Sequence, residues 1–157
     1  MRSSRWMLIA TCLLLGACFQ DSTPQVSTYL PLNYQNQALF QTVRTCRLLP
    51  AAPHNNSYQL VLANAVAYAP YTNPDYPLPQ GSVVVAEEHG NDPACSSGSV
   101  TGFYLMAKQQ PGYDSAADDW RWQQLDANQR LLQDGQLKTC SACHAQPTCN
   151  DFLCSHP

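Results

Sequence analysis

Five residues near the C-terminus, Cys140-Ser141-Ala142-Cys143-His144, have the types and the spacing that attach a porphyrin to a protein. In a C-x-x-C-H sequence the two thiols form thioethers with the vinyl groups of one porphyrin, and the histidine supplies a nitrogen ligand to the iron. A dithiol redox site is expected beside a β-α-β pattern, and a zinc site needs a second pair of ligands. The sequence shows neither pattern, so we predict one covalently attached haem c held by Cys140, Cys143 and His144.

Other side chains could serve the iron or the porphyrin. Met106 is a candidate sixth ligand, although a lone methionine in an apolar segment more often fills a core. His54, His89 and His156 fall in loops or at the terminus, and we expect them to be solvated imidazoles rather than iron ligands. Arg44 could pair with a haem propionate or form a surface ion pair, and the sequence favours neither.

Aromatic residues in two apolar segments could line the haem pocket. Phe103, Met106 and Trp120 are the pocket candidates, with Tyr104 and Trp122 beside them. Such a lining would exclude water and bulky ligands while leaving room for a diatomic molecule. The alternative is plain sheet core, since a β domain has to fill its interior with large side chains.

The N-terminus has the composition of an export signal that ends in a lipid-attachment site. Two arginines precede a short apolar run over residues 7–15, which is too short to span a bilayer as a stable helix. Leu15-Gly16-Ala17-Cys18 then resembles a bacterial lipobox, with an ordinary secretory signal as the alternative. We predict that residues 1–17 are a lipoprotein signal peptide. Cys18 would be lipidated and would anchor a periplasmic protein to the outer membrane, because Phe19 rather than Asp follows it.

Export places the remaining cysteines in an oxidising compartment, where spare thiols pair. Four are left outside the signal, the lipidation site and the C-x-x-C-H motif, and they allow three connectivities. We favour Cys149 with Cys154 and Cys46 with Cys95, and we expect both bridges to serve stability.

The charge balance limits the partners of the protein. Eight Lys and Arg stand against eleven Asp and Glu, for a formal net charge of −3. Such a surface does not attract nucleic acid. It would suit a basic redox partner protein, although acidic side chains also serve simply to keep a protein in solution.

The elements that must position the motif are mainly strands. Residues 18–37 are polar and aperiodic and are interpreted as a tether, which leaves residues 38–157 as one domain. Residues 58–68 permit a helix as well as a strand, and Asp134-Gly135 is interpreted as a turn. The predicted strands cover residues 39–48, 58–68, 82–88, 100–108 and 120–125. The predicted fold is therefore a mainly β, antiparallel sheet with a short C-terminal helical segment that carries the C-x-x-C-H motif.

The order of these features resembles the cytochrome P-460 family, which includes the β-sheet cytochromes c′. The matching residues are Phe40-Gln41-Thr42-Val43-Arg44-Thr45; Pro79-Gln80-Gly81-Ser82-Val83-Val84-Val85 with Glu87; Gly102-Phe103-Tyr104-Leu105-Met106; Trp120; and the C-x-x-C-H motif followed by Asp151. The resemblance implies an antiparallel β fold that is usually dimeric. It also implies one c-type haem, with a histidine below the iron and an open or apolar-capped site above it.

One departure from the family decides between its activities. Members that oxidise hydroxylamine carry a covalent bond from a lysine to the porphyrin, and the matching position here is Ala86. The resemblance therefore implies binding of nitric oxide or a similar small ligand. A haem oxidoreductase acting on hydroxylamine or peroxide and a periplasmic electron carrier remain alternatives. Asp114 falls near the carboxylate that takes protons in the enzymes, and it is a weak catalytic candidate beside Glu87, Glu88 and Tyr113.

Overall fold

Six antiparallel strands form one sheet in which every strand pairs with its neighbour in sequence. The structure is a computed structural model, and it describes residues 28–49, 54, 56–73 and 75–154. The elements are β1 (Phe40–Leu49), β2 (Ser57–Asn64), α1 (Ala65–Thr72), β3 (Val83–Glu88), β4 (Gly102–Lys108), β5 (Trp120–Asp126), β6 (Leu131–Gly135) and α2 (Lys138–His144). The predicted fold class, a mainly β antiparallel sheet with a C-terminal helix carrying the motif, is confirmed. Within the described residues, no helix is long and apolar enough to cross a membrane.

Both faces of the sheet are covered, which explains the continuous apolar run in β3. Successive side chains of a strand point to opposite faces, so a strand buried on both sides has no polar alternation. Val84 packs on one face with Met106 and Trp122. Val85 packs on the opposite face with Phe103. Helix α2, which carries the C-x-x-C-H motif, lies on the first of these faces. There Leu137 and Cys140 pack against the buried cluster.

The opposite face is covered by residues that precede β1. Leu30 and Tyr34 are 2% and 4% exposed and belong to the same buried cluster as Phe103. The backbone N–H of Tyr29 donates to Oε1 of Gln123 at 2.9 Å. Leu30 and Tyr34, which lie in the stretch that the sequence analysis interpreted as a tether, are therefore packed on the sheet.

The segment 58–68 divides into a strand and a helix. The predicted strand is right up to Asn64 and wrong beyond it, because α1 begins at Ala65. The Asn64 side-chain oxygen accepts from the backbone N–H of Ala67 at 3.0 Å and from that of Val83 at 3.1 Å. An asparagine that caps a helix in this way satisfies donors which a continuing strand would leave unpaired.

The sheet has one more strand than predicted. Asp134 and Gly135, which were expected to form a turn, end β6 instead and pair with Gln123 and Trp122 of β5. Arg121 forms a salt bridge with Asp134 across the two strands. This cross-strand pair stabilises a short edge strand whose own sequence is too polar to predict one.

Two disulfides join the pairs that the sequence favoured. Cys46 of β1 is bonded to Cys95 in the loop after β3. Cys149 is bonded to Cys154 in the segment after α2. The second bridge closes a short loop, and a backbone carbonyl of this loop contacts His144 of the C-x-x-C-H motif.

Candidate functional site

The floor of the cavity under α2 is one row of residues that crosses all six strands. Strand pairing places these residues side by side, each from a neighbouring strand: Arg44, Val61, Ala86, Tyr104, Gln124 and Gln133. All six line a cavity of about 230 Å³. We call them the transverse row. The surface they share with their neighbours is mostly apolar, and it lies under α2.

Helix α2 brings the C-x-x-C-H motif to the edge of this cavity. Cys140, Cys143 and His144 all line it. Among the described cysteines these two carry free thiols, whereas the other four are paired in disulfides. Burial raises the pKa of the Cys140 thiol. The two thiols are therefore set apart from the disulfide framework and face the same space as the imidazole.

The imidazole of His144 is fixed by a backbone carbonyl and an aromatic ring. Its Nδ1 lies 2.7 Å from the carbonyl oxygen of Phe152, which can only accept, so Nδ1 is the donor. The ring meets Trp122 edge-on, with centroids 4.9 Å apart. Burial lowers the pKa of His144 and outweighs the opposing effect of the Phe152 carbonyl, so the ring is held neutral. A neutral ring that donates through Nδ1 keeps its lone pair at Nε2, as metal-ligating histidines do.

The loop that carries Phe152 is anchored through Asp151. The Asp151 carboxylate accepts from the backbone N–H of Leu78 at 2.6 Å and forms a salt bridge with Lys108. The indole N–H of Trp120 donates to the Asp151 carbonyl oxygen at 2.9 Å. Three separate parts of the chain, namely the loop before β3, the end of β4 and the start of β5, thus hold the backbone that orients His144.

Arg44 stands at the β1 end of the transverse row, and two of its N–H donors have no partner among the described residues. Its Nε and Nη2 are buried and bond to no described residue, and burial lowers the pKa of the guanidinium. The buried indole Nε1 of Trp122 likewise has no partner among the described residues. Unsatisfied buried donors are costly. Their presence in the wall of a cavity points to a ligand that carries acceptor atoms, such as the carboxylates of a porphyrin.

A second polar group surrounds His54, which the sequence analysis expected on the surface. His54 lines the cavity, its side chain is 17% exposed, and its ring meets Tyr104 edge-on at 4.8 Å. Its Nδ1 lies 2.7 Å from Nε2 of the buried Gln59. The expectation of a solvated imidazole is wrong for His54, because the bend before β2 places it over the sheet rather than outside it.

The other candidates from the sequence fall in different places. Met106 lines the cavity, as a pocket residue should, and it is packed between Val84 and Trp122 on adjacent strands. Phe103 lies on the opposite face of the sheet, where it meets the ring of Tyr34 at 5.5 Å. Trp120 is on the motif's face but is buried beside Asp151 and does not line the cavity.

The remaining candidates are also away from the cavity or outside the described residues. Asp114 precedes the short 3-10 turn Ser115–Ala117, and its backbone N–H donates to Asp119, so the structure does not bring it to the motif. His89 is fully buried rather than solvated, with Nδ1 2.9 Å from the Ser99 hydroxyl. Cys18 and His156 lie outside the residues that the structure describes.

The glutamines of the cavity were not singled out from the sequence. Gln59, Gln124 and Gln133 sit on three strands and have no motif around them. Their only signal is the pairing of the strands, which aligns Gln124 and Gln133 in the transverse row. The amide of Gln124 donates to the Tyr104 hydroxyl at 3.1 Å.

The residues present fit a haem. Two free thiols at the vinyl-reaching spacing, one neutral imidazole with its Nδ1 already bonded, and unpartnered donors in the same cavity are the groups that such a cofactor requires. Cys140 and Cys143 would hold the porphyrin and His144 the iron.

Comparison with known proteins agrees with this chemistry. The search of curated proteins finds no match. The sequence model of the Cytochrome P460 family matches residues 31–155, which include all six strands, the motif and the loop that orients His144. Membership in that family implies a haem cofactor. With the C-x-x-C-H motif carried on a helix over the cavity of the sheet and this match over residues 31–155, the chain belongs to the cytochrome P460 family.

Proposed function

We propose that this chain is an exported mono-haem c-type cytochrome that binds nitric oxide or a similar small ligand at a five-coordinate haem. Cys140 and Cys143 would hold the porphyrin covalently, and Nε2 of His144 would be the axial ligand. When bound, the haem supplies an iron with one open coordination position. The protein residues orient the imidazole, exclude bulk water and shape the cavity.

The observation that carries the proposal is the bonding of His144. Its Nδ1 donates to the Phe152 carbonyl, and the ring lies in the wall that it shares with both free thiols. A purely structural role would not explain why Nε2 of His144 makes no hydrogen bond to the described residues while the ring lies beside two unpaired cysteines in a domain with two disulfides. A haem ligand needs this arrangement.

The identity of residue 86 supports ligand binding over hydroxylamine oxidation. Ala86 belongs to the transverse row at the cavity floor, and the family resemblance matches this position to the cross-linking lysine. An alanine side chain has no nucleophile with which to form that bond. Lys108 is held in a salt bridge with Asp151, and Lys138 begins α2. The chain contains no further lysine.

Packing supports an open coordination position over a methionine ligand. Met106 is 7% exposed and belongs to the buried cluster with Val84 and Trp122. A methionine packed in this way contributes to the core. The electron-carrier alternative, which needs a sixth protein ligand, is therefore the weaker one.

The cellular location is also a proposal. We infer that the chain is exported, processed before Cys18 and anchored by lipid to the outer membrane. The two disulfides support an oxidising compartment, because structural disulfides persist there and are rare in the cytosol. Labelling with a radioactive fatty acid, compared between the full chain and Cys18→Ser, tests the anchor.

The experiment that tests the function is an absorption and electron paramagnetic resonance spectrum of protein matured in a host that attaches haem. A high-spin ferric spectrum that changes on addition of nitric oxide is expected. Mass spectrometry should show one haem on the polypeptide, and Cys140→Ser/Cys143→Ser should lack it. A low-spin spectrum that ignores nitric oxide would indicate an electron carrier, and hydroxylamine turnover with an electron acceptor would indicate the enzyme.

A further inference from the structure

His54, Gln59 and Glu88 form a hydrogen-bonded group at the rim of the cavity. Gln59 is 1% exposed, and its Nε2 donates to Oε1 of Glu88 at 3.2 Å. The same Nε2 lies 2.7 Å from Nδ1 of His54. The direct distance from that Nδ1 to Oε1 of Glu88 is 3.6 Å, which is too long for a hydrogen bond. Gln59 is therefore the group through which the carboxylate acts on the imidazole.

The carboxylate decides how the Gln59 amide is turned. An ionised Glu88 can only accept, so the amide must present its NH₂ group and not its oxygen. The second hydrogen of that NH₂ group is then directed to Nδ1 of His54, which has to accept it. A neutral imidazole that accepts at Nδ1 carries its proton at Nε2.

His54 and His144 thus line one cavity in opposite tautomers. His144 donates through Nδ1 to the Phe152 carbonyl and keeps a lone pair at Nε2. From the contact of its Nδ1 with the Gln59 amide nitrogen, we infer that His54 accepts at Nδ1 and keeps a hydrogen at Nε2. The first arrangement suits a metal ligand. The second suits a hydrogen-bond donor, because a protonated Nε2 has no lone pair to give to a metal.

We propose that His54 is the residue that selects the ligand of this cavity, by donating a hydrogen bond from Nε2 to small anionic ligands. The inference rests on the proposed function, since it requires a haem with an open position. His54 lines the cavity. A hydrogen-bond donor there strengthens the binding of a ligand that carries negative charge and leaves a neutral diatomic molecule such as nitric oxide or carbon monoxide little affected.

The test compares an anionic probe with a neutral one in the haem-loaded protein. Fluoride binding to the ferric form and carbon monoxide binding to the ferrous form are titrated by absorption for wild type, His54→Leu and His54→Gln. Loss of a charge-assisted hydrogen bond should weaken fluoride binding by roughly ten- to a hundredfold in His54→Leu. His54→Gln retains an N–H donor and should recover part of that loss. Carbon monoxide affinity should change by no more than about threefold in either variant.

A second variant tests the part played by the amide. Gln59→Leu keeps His54 but removes the donor that fixes its tautomer. The fluoride affinity should therefore fall by less than in His54→Leu, and the carbon monoxide affinity should stay unchanged. Circular dichroism spectra identify any variant that has not folded, in which case His54→Gln alone decides.

Three outcomes would overturn the inference, and they have different meanings. Equal fluoride affinity in wild type and His54→Leu would show that His54 does not touch the ligand. A low-spin wild type that becomes high-spin in His54→Leu would show that His54 is itself an iron ligand. Failure of the wild type to take up nitric oxide, fluoride and carbon monoxide, with haem attached, would remove the proposed function and this inference together.

Discussion

Lys108 and Asp151 form a salt bridge that ties the end of β4 to the loop orienting His144. Their side chains are 9% and 2% exposed, so the pair is almost completely removed from water. The Lys108 ammonium also lies 4.8 Å from the centroid of the Trp120 ring. The pair is 43 residues apart in sequence, yet the residue after Asp151 supplies the carbonyl that fixes the His144 imidazole.

Removal of the Asp151 carboxylate should destabilise the protein strongly. Asp151→Ala leaves the Lys108 charge buried without a partner, which costs about 3–5 kcal/mol in the free energy of unfolding. Adding Lys108→Met to Asp151→Ala should recover part of that loss, because no buried charge then remains. Urea denaturation measures both variants.

The control for this ion pair is an exposed one. Arg130→Met breaks the pair with Asp126, and the Arg130 side chain is 78% exposed, so the cost should stay below about 1 kcal/mol. A loss in Asp151→Ala no larger than in Arg130→Met would show that the buried pair does not hold the loop.

The two disulfides should differ in their contribution to stability. Cys46 and Cys95 are separated by 49 residues, and Cys149 and Cys154 by five. The loop-entropy relation gives about 4 kcal/mol for the longer loop and about 2 kcal/mol for the shorter one. Cys46→Ser/Cys95→Ser should therefore lower the unfolding free energy more than Cys149→Ser/Cys154→Ser.

The haem absorption spectrum should rank the two disulfide variants in the reverse order. Opening Cys149–Cys154 loosens the segment that holds Phe152 against His144, so this variant should change the haem absorption more than the other. Equal spectra in the two variants would mean that the short bridge does not contribute to the orientation of His144.

Arg44→Met should change the free energy of unfolding in opposite directions with and without haem. In the haem-free Cys140→Ser/Cys143→Ser background it removes buried donors that lack partners, and we expect a gain of about 1–3 kcal/mol. In the haem-loaded protein it removes a cation that would pair with a propionate, and the unfolding free energy should fall.

Arg47 provides the matched control for Arg44. It lies on the same strand and is exposed, so Arg47→Met should leave both forms within about 0.5 kcal/mol of their parents. The same sign of change in both forms of Arg44→Met would exclude a propionate partner.

The contribution of Asp92 to stability should be complete above about pH 5 and should decline progressively as the pH falls below about 4. Hydrogen bonds from the Ser99 hydroxyl and from the backbone N–H groups of Ser96 and Ala94 hold the pKa of Asp92 well below its usual range. A carboxylate whose folded pKa lies below its unfolded pKa stabilises the protein above the unfolded value, and the contribution disappears as the pH falls. Thermal unfolding from pH 6 to pH 3 should show wild type more stable than Asp92→Asn at pH 6 and the two converging below pH 4.

Ser99→Ala gives an intermediate test of the same carboxylate. It removes the strongest of the three hydrogen bonds and keeps the charge, so it should lose only part of the pH-dependent difference. A difference between wild type and Asp92→Asn that stays constant from pH 6 to pH 3 would contradict the assigned pKa.

The sequence by itself determined the chemistry of the motif and most of the strands. C-x-x-C-H is recognisable because its spacing is local, and β3 because its run of valines has no polar alternation. The even cysteine count indicated that the cysteines pair. The Cys149–Cys154 pair could also be predicted locally, because the two residues are close in the chain.

The tertiary structure decided which side chains meet the motif. Alternation along β4 places Phe103 and Tyr104 on opposite faces, but only the packing of α2 shows that Tyr104 faces the cavity. The transverse row depends on the register of five strand pairs, including a shift between Thr42 and Arg44 in β1. Register is set by long-range pairing and by such irregularities, and a change of one residue reverses every side chain of a strand. That is why local sequence identified the residues that would hold the haem, whereas only the folded protein showed that His54, Arg44 and the glutamines share a cavity with them.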